Sequence, residues 1–311
     1  MTRIGFVGLG NMGMPMCENL VSGGFDVVAF DVRKEAVEAI VEKGASGALS
    51  AAEAANGADV LFTMLPGPTQ VEAAMLGEDG ALATMSPDSA WIDMSTSTPE
   101  AVDRFSAATG SEGPVMLDAP VNGGTTGARE GTLQIFVGGA PDAFERYRLI
   151  LEVMGDPDLV VHVGGRGAGY AVKLCLNLLW YSHSAATAEV LTLGLRAGVE
   201  LEVLHRAITA SAANSHFLEH DVLSVFSGDY DESFHLALVC KDLGLAVDLG
   251  RHTGTPLELS ALVEQLHRRA RAQYGDRGGQ LAAARLLEDA TRTSLRTSIG
   301  EVPASEEDGR A

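Results

Sequence analysis

The segment Arg3-Ile-Gly-Phe-Val-Gly-Leu-Gly-Asn-Met-Gly13 constrains this chain more tightly than any other. Arg3 to Val7 is a short β-branched and aromatic run that reads as a buried strand. It feeds Gly8-Leu9-Gly10-Asn11-Met12-Gly13, a G-x-G-x-x-G turn, and Met12 to Val21 follows at helical spacing. Pro15 falls in the first helical turn, where a missing N–H costs little, and Gly23-Gly24 is a helix stop. Asp26 to Phe30 reads as a second strand that runs into the acid Asp31. Each part has a physical job. Gly8 permits the tight turn, Gly10 lets a pyrophosphate approach the backbone, and Gly13 lets helix and strand pack closely. The helix start supplies N–H groups and the positive end of a dipole. A lone G-x-G-x-x-G is weak, but the flanking strand, the helix and an acid about 20 residues on make a dinucleotide site. Asp31 can accept hydrogen bonds from the adenosine ribose and would repel a 2′-phosphate, which points to NAD. Arg33 can pair with that phosphate, which points to NADP. The expectation is NAD or NADP, with NAD favoured.

Helix and strand patterns then alternate. Lys34 to Lys43 is helical, and Asp59 to Met64 is a strand stopped by Leu65-Pro66-Gly67-Pro68. Thr69 to Met75 is a short helix, and Ala90–Met94 and Val115–Asp118 are strands. Thr132 to Gly139 is a strand, Pro141 to Met154 a helix, and Leu159 to Val163 the last strand. This order predicts an α/β domain with a parallel, doubly wound sheet. Ligands of such sheets sit at the carboxyl ends of the strands. The loops Met64-Leu65-Pro66, Ser95–Thr98 and Ala119–Gly124 are therefore expected to border the site. Thr96 is the expected cofactor contact there, while Thr98 reads as a cap before Pro99. Asn122-Gly123-Gly124 can turn several N–H groups toward one anion, and Asn122 adds a side-chain donor.

From Val163 the character changes. Gly164, Gly165, Gly167 and Gly169 lead into a helical run, Ala168–Ala197. Lys173 and Asn177 stand four apart in it, so they stack on one face. This helix is expected to span the junction between domains and hold Lys173 against a bound nicotinamide. It is too apolar to be one-sided, which predicts burial all round, partly against a second subunit. Only helical periodicity follows: Leu201–Ala212, Ser215–Phe226, Phe234–Gly250, Pro256–Tyr274 and Gly279–Leu295. The expected organisation is a Rossmann-type domain over 1–163, an all-α domain over 164–296, and a disordered acidic tail over 297–311.

Composition excludes several classes. A net charge of −20, from 42 acids against 22 bases, repels nucleic acid and anionic membranes. No run approaches the roughly 18 apolar residues of a membrane helix. Glycines break the N-terminal apolar run, which is no signal peptide. Three cysteines without paired spacing suggest a reducing compartment and a cytoplasmic location, with Cys175 and Cys240 as core residues. His216-Phe-Leu-Glu219-His220 matches an H-x-x-E-H metal pattern, but no third ligand is evident nearby, and no metal is expected.

Taken in order, Gly8-Leu-Gly-Asn-Met-Gly-Met-Pro-Met16, Met64-Leu-Pro66, Asp118-Ala-Pro-Val-Asn-Gly-Gly124, Gly169-x-x-x-Lys173-x-x-x-Asn177 and Lys241-Asp-Leu-Gly244 resemble one family. It is the β-hydroxyacid dehydrogenases of the 3-hydroxyisobutyrate dehydrogenase type, matched over about residues 3 to 290. The resemblance implies a Rossmann-type domain, an all-α C-terminal domain, and a homodimer or tetramer built through the latter. It implies NAD(P)-dependent, reversible oxidation of a small, anionic 3-hydroxy acid to an aldehyde or keto acid. Carried over, Lys173 is the catalytic group and Asn177 its companion. Asn122, Gly123 and Gly124 bind the substrate carboxylate, and Lys241 lies near nicotinamide and substrate. One departure stands out: the family usually has Ser where this chain has Asn122. The alternatives are an imine reductase, which typically lacks the lysine, and a non-catalytic dinucleotide-binding module, expected to lose the lysine or the glycine turn.

Overall fold

The computed structural model describes residues 2–109 and 113–297. The acidic tail from residue 298 on lies outside the described residues. By contacts the chain divides into two compact units, Met1–Leu176 and Asn177–Ala311.

The first unit is a sheet with helices on both faces. Its strands are β1 (Arg3–Val7), β2 (Asp26–Phe30), β3 (Ser46–Gly47), β4 (Val60–Thr63), β5 (Ala90–Asp93), β6 (Val115–Asp118), β7 (Val121–Asn122), β8 (Leu133–Gly138) and β9 (Gly155–Gly164). Their spatial order is β3-β2-β1-β4-β5-β6-β8-β7, with β9 also paired to β8. From β3 to β6 every pairing is parallel. The helices are α1 (Gly13–Ser22), α2 (Lys34–Glu42), α3 (Ala51–Ala55), α4 (Pro68–Leu76), α5 (Pro99–Thr109), α6 (Gly124–Glu130) and α7 (Pro141–Leu151). Strand residues alternate between two cores. Ile4, Phe6, Val60, Phe62 and Ile92 pack with Met16 and Leu20 of α1 and Ile40 of α2. Val7, Leu61, Trp91 and Met116 pack on the other face with Val71 of α4 and Phe105 of α5. Burial on both faces explains why these strands are apolar runs rather than alternating ones.

Two expectations need correction here. The sheet is not wholly parallel: β8 runs antiparallel to β6 and β7. Pro120 to Gly124 turns the chain back after β6, and α6 ends on Gly131, a left-handed cap that reverses the chain into β8. The last strand is twice the expected length, because its pairing with β8 extends back to Gly155. Short β3, α3 and β7 carry too few residues to show a period.

α8 (Ala168–Arg196) begins in the first unit and continues into the second. The helical unit continues with α9 (Leu201–Thr209), α10 (Val222–Ser227), α11 (Leu236–Thr253), α12 (Glu258–Tyr274) and α13 (Ala282–Thr291). The helix expected over Ser215–Phe226 is a π-turn, Phe217–Asp221, joined to α10. The terminal helix is shorter than its pattern at both ends, because Leu281 and Leu295 pack into the core from outside it. Within this single chain α8 is not buried all round, since Leu179 and Leu193 are exposed. Cys175 is exposed rather than core, while Cys17 and Cys240 are buried; all three are free thiols. No helix among the described residues is long and apolar enough to cross a membrane.

Candidate active site

The glycine turn stands at the carboxyl edge of the sheet, between β1 and α1. Gly8 has φ +103° and donates its N–H to Phe30 O at 2.9 Å, which ties the turn to β2. A Cβ on Gly13 would lie 1.9 Å from Gly8 O, so only glycine lets α1 start this close to the strand. A Cβ on Gly10 would meet nothing within 4 Å, leaving the space in front of this backbone open. Met12 provides no side-chain cap for α1; Met14 N–H donates to Gly10 O at 3.0 Å and Pro15 has no N–H, so what the start of α1 offers an anion is chiefly the positive end of the helix dipole. Beside them lies a groove of about 530 Å³, lined by Leu9, Gly10, Asn11, Met14, Arg33 and Arg129 among others. These features fit a dinucleotide pyrophosphate. Arg129 belongs to α6, more than a hundred residues from the turn in sequence, and no local signal marks it.

Asp31 and Arg33 are joined. Asp31 Oδ2 accepts the Leu9 N–H at 2.7 Å, and Oδ1 accepts the Arg33 N–H at 2.9 Å and its Nε at 3.0 Å. Arg33 Nη2 also reaches Leu9 O at 2.8 Å. Burial works to raise the Asp31 pKa, but the hydrogen bonds from Arg33 and Leu9 outweigh it and hold the carboxyl below its ordinary value. The two residues that separately pointed to NAD and NADP thus form one ion pair under the glycine turn.

Across the switch point from β1 to β4, Met64 N–H donates to Val7 O at 2.9 Å, and Leu65 N–H to Ser95 Oγ at 2.9 Å. The Met64-Leu65-Pro66 and Ser95–Thr98 loops are thereby fixed to each other. Thr96 is half-buried in that loop. Gly123 and Gly124 both have positive φ, +124° and +61°, and Asn122 donates through Nδ2 to Gln134 Oε1 at 2.9 Å.

Behind these loops lie two buried acids, and their purpose is not legible in the sequence. Asp93 accepts from the Thr63 hydroxyl (2.7 Å), the Ser95 N–H (3.1 Å) and the Tyr170 hydroxyl (2.6 Å). Thr63 in turn accepts from Trp91 Nε1 at 2.9 Å. Asp118, the neighbour of Asp93 in register on β6, accepts the Gly167 N–H at 2.7 Å and the Tyr170 N–H at 3.1 Å. Burial pushes the Asp118 carboxyl up to about 6, against the pull of backbone N–H groups at Gly167, Tyr170 and Gly169. Burial likewise raises Asp93, and it raises the Tyr170 hydroxyl beside it. An acid closing each of two apolar strands was the available signal. Lys173 stands one turn beyond this clamp on α8 and is half-buried.

In the helical unit, Asn177 donates through Nδ2 to Asp242 Oδ2 at 2.9 Å, and Lys241 Nζ pairs with Asp242 Oδ1 at 2.6 Å. Asp242 is almost fully buried, so it fixes both side chains at once. The His216 and His220 rings stack at 4.3 Å, and Glu219 accepts from Asn214 at 2.6 Å. No cluster of three metal-ligating side chains occurs among the described residues.

Comparison with known proteins adds the following. Residues 3–165 match the family model of the NAD-binding domain of 6-phosphogluconate dehydrogenase. Residues 167–287 match that of the NAD-binding region of NADP-dependent 3-hydroxyisobutyrate dehydrogenase. A 3-hydroxyisobutyrate dehydrogenase of Pseudomonas aeruginosa is 39% identical over 88% of this chain and 95% of its own. An NAD-dependent L-serine dehydrogenase of the same organism is 38% identical over 86% and 92%. The solved 3-hydroxyisobutyrate dehydrogenase of Mycobacterium tuberculosis, in a structure with L-serine, superposes with a TM-score of 0.85 at 34% identity, covering 92% of this chain and 99% of that one. With the glycine turn, the acid-terminated second strand and matches that extend over both units, the chain belongs to the β-hydroxyacid dehydrogenases, enzymes that work with NAD or NADP.

Proposed function

We propose that this enzyme moves a hydride reversibly between NAD(P) and a small 3-hydroxy acid of the 3-hydroxyisobutyrate or L-serine kind, or its semialdehyde, with Lys173 as general acid and base. The observation that carries the proposal is the placement of Lys173. It lies on the first turns of α8, and that helix start is bonded to the end of β6 on the sheet edge that carries the glycine turn.

The α1 N-terminus and Leu9 to Gly13 would hold the pyrophosphate, and Asp31 with Arg33 the adenosine ribose. Met64, Leu65, Pro66 and Thr96 would line the path toward the nicotinamide. A bound nicotinamide supplies hydride exchange at the carbinol carbon. Oxidation also needs a base for the hydroxyl proton, within hydrogen-bond reach. The Lys173 amine is proposed as that base, its neutral Nζ taking the hydroxyl proton as the hydride leaves. In reduction the ammonium gives it back to the carbonyl oxygen and stabilises the charge that develops there. Asn122 and the Gly123-Gly124 turn are proposed to hold the substrate carboxylate. Their positive-φ backbone supports this, because successive N–H groups then converge on one anion. The parts given to Asn177 and Lys241 and the homo-oligomer rest on the family resemblance, whereas the domain limits near residue 163 rest on the change to helical periodicity there and the cytoplasmic location on the sparse, unpaired cysteines.

The test is a panel of 3-hydroxyisobutyrate and L-serine with NAD and with NADP, followed by the absorbance of reduced nicotinamide. Lys173→Ala should lower kcat by about 10²- to 10⁴-fold, the usual worth of a positioned proton-transfer group. Affinity for NADH, read by fluorescence quenching, should change by less than about threefold, because remote binding contacts remain. Wild-type turnover by Lys173→Ala would remove the lysine from the mechanism.

A further inference from the structure

We propose that Asp118 is the positioning residue of this enzyme: its buried carboxylate clamps the first turn of α8 to the end of β6 and so fixes where Lys173 stands.

Several independent features of the fold converge on that carboxylate. Asp118 closes β6 and is fully buried. Its Oδ1 takes the Gly167 N–H and its Oδ2 the Tyr170 N–H, at 2.7 and 3.1 Å. Those amides belong to the start of α8, whose first N–H groups have no partner within the helix. A side chain 49 residues upstream therefore does the work usually done by a local cap. The negative charge also lies at the positive end of a 29-residue helix.

Space has been left for this carboxylate on two sides. A Cβ on Gly138 of β8 would fall 2.6 Å from both Asp118 oxygens. A Cβ on Gly169 would fall 2.3 Å from Phe136 O and 2.6 Å from Asp118 O. Both glycines are needed if the helix is to touch the strand ends through this one side chain. A second pin lies alongside: the Tyr170 hydroxyl donates to Asp93, the register neighbour of Asp118, at 2.6 Å. Lys173 follows Tyr170 by three residues, so it rides on the turn that both acids hold. Reaction rates respond steeply to such placement, since a misplacement of about 1 Å can cost about 10²-fold.

The inference rests on Lys173 being the acid-base group, and the experiment separates the two ideas. Asp118→Asn keeps the size of the side chain but turns an amide N–H₂ toward one of the helix N–H groups. The variant is compared with Lys173→Ala and the parent enzyme for kcat with NAD and 3-hydroxyisobutyrate or L-serine, whichever the parent oxidises. NADH affinity and backbone amide exchange are measured beside it. The expected result is a kcat lowered about 10- to 100-fold, an NADH dissociation constant within about threefold of the parent, and faster exchange at Gly167 and Tyr170. If Lys173→Ala is inactive while Asp118→Asn keeps parental kcat, the positioning role is wrong and the acid-base role stands. If Lys173→Ala is active, the acid-base role is wrong, and exchange at Gly167 and Tyr170 alone then decides whether Asp118 holds the helix. Parental protection of both amides in Asp118→Asn overturns the clamp. Should Asp118→Asn not fold, Gly138→Ala takes its place, because a Cβ there crowds both Asp118 oxygens: a several-fold loss of kcat with unchanged NADH affinity and faster exchange at Gly167 and Tyr170 is expected, and parental kcat with parental protection overturns the proposal.

Discussion

At the scale of the residue, the pairing of Asp31 with Arg33 decides how the adenosine end is read. Each Asp31 oxygen already has hydrogen-bond donors, from Leu9 on one side and Arg33 on both. Arg33 is 58% exposed, so the pair adds little to stability, but it neutralises the acid that would otherwise oppose a 2′-phosphate. Arg33→Ala should therefore cost NADP far more than NAD. A charge-assisted contact is worth about 1.5–3 kcal/mol, or about 10- to 100-fold in the KM for NADP. The KM for NAD should move by less than about threefold, and equal losses for both cofactors would show that Arg33 does not sense the phosphate. The sequence makes each residue visible and gives them opposite meanings. That both also bond the Leu9 backbone, Asp31 to its N–H and Arg33 to its C=O, follows from the fold of the turn, which no spacing rule reveals.

At the scale of the element, α8 is the part that must be placed most accurately. Its length and its junction with the sheet were legible from glycines followed by sustained apolar periodicity. Its docking was not, because the contacts come from Asp118, Phe136 and Asp93, on strands far away in sequence. Gly169→Ala forces a methyl group against two backbone carbonyl oxygens that cannot swing aside. It should lower the unfolding free energy by about 1–3 kcal/mol or more in urea titration. Gly165→Ala is the control: a Cβ there meets nothing within 4 Å, so stability should stay within about 0.5 kcal/mol. Equal stability of the two variants would mean that the helix start has room to shift. The same reasoning explains why β8 was expected to be parallel. Its own residues fit either direction, and the turn through α6 and Gly131 sets the hand.

At the scale of the whole molecule, the family resemblance implies more than one copy. The helical unit carries exposed Leu179 and Leu193 on α8 and exposed Leu259 and Leu262 on α12. Large apolar side chains left open to water in this number are a common mark of an interface. Light scattering after gel filtration should give the mass of two or four chains at micromolar concentration. Leu193→Asp combined with Leu262→Asp should lower that mass. A monomeric parent protein would remove the oligomer from the description.

The sequence by itself determined the nucleotide-binding turn, the α/β order of the first unit, the helical character of the second, and Lys173 as the residue to test. These are local properties: a period, a turn that needs glycine, an acid at a strand end. Only the tertiary structure showed that Arg33 lies on Asp31, that Asp242 holds Asn177 and Lys241 together, and that Asp118 caps a helix 49 residues away. A buried carboxylate must find donors wherever the fold offers them, and the amides that meet it are set by strand order and helix docking, not by neighbours along the chain.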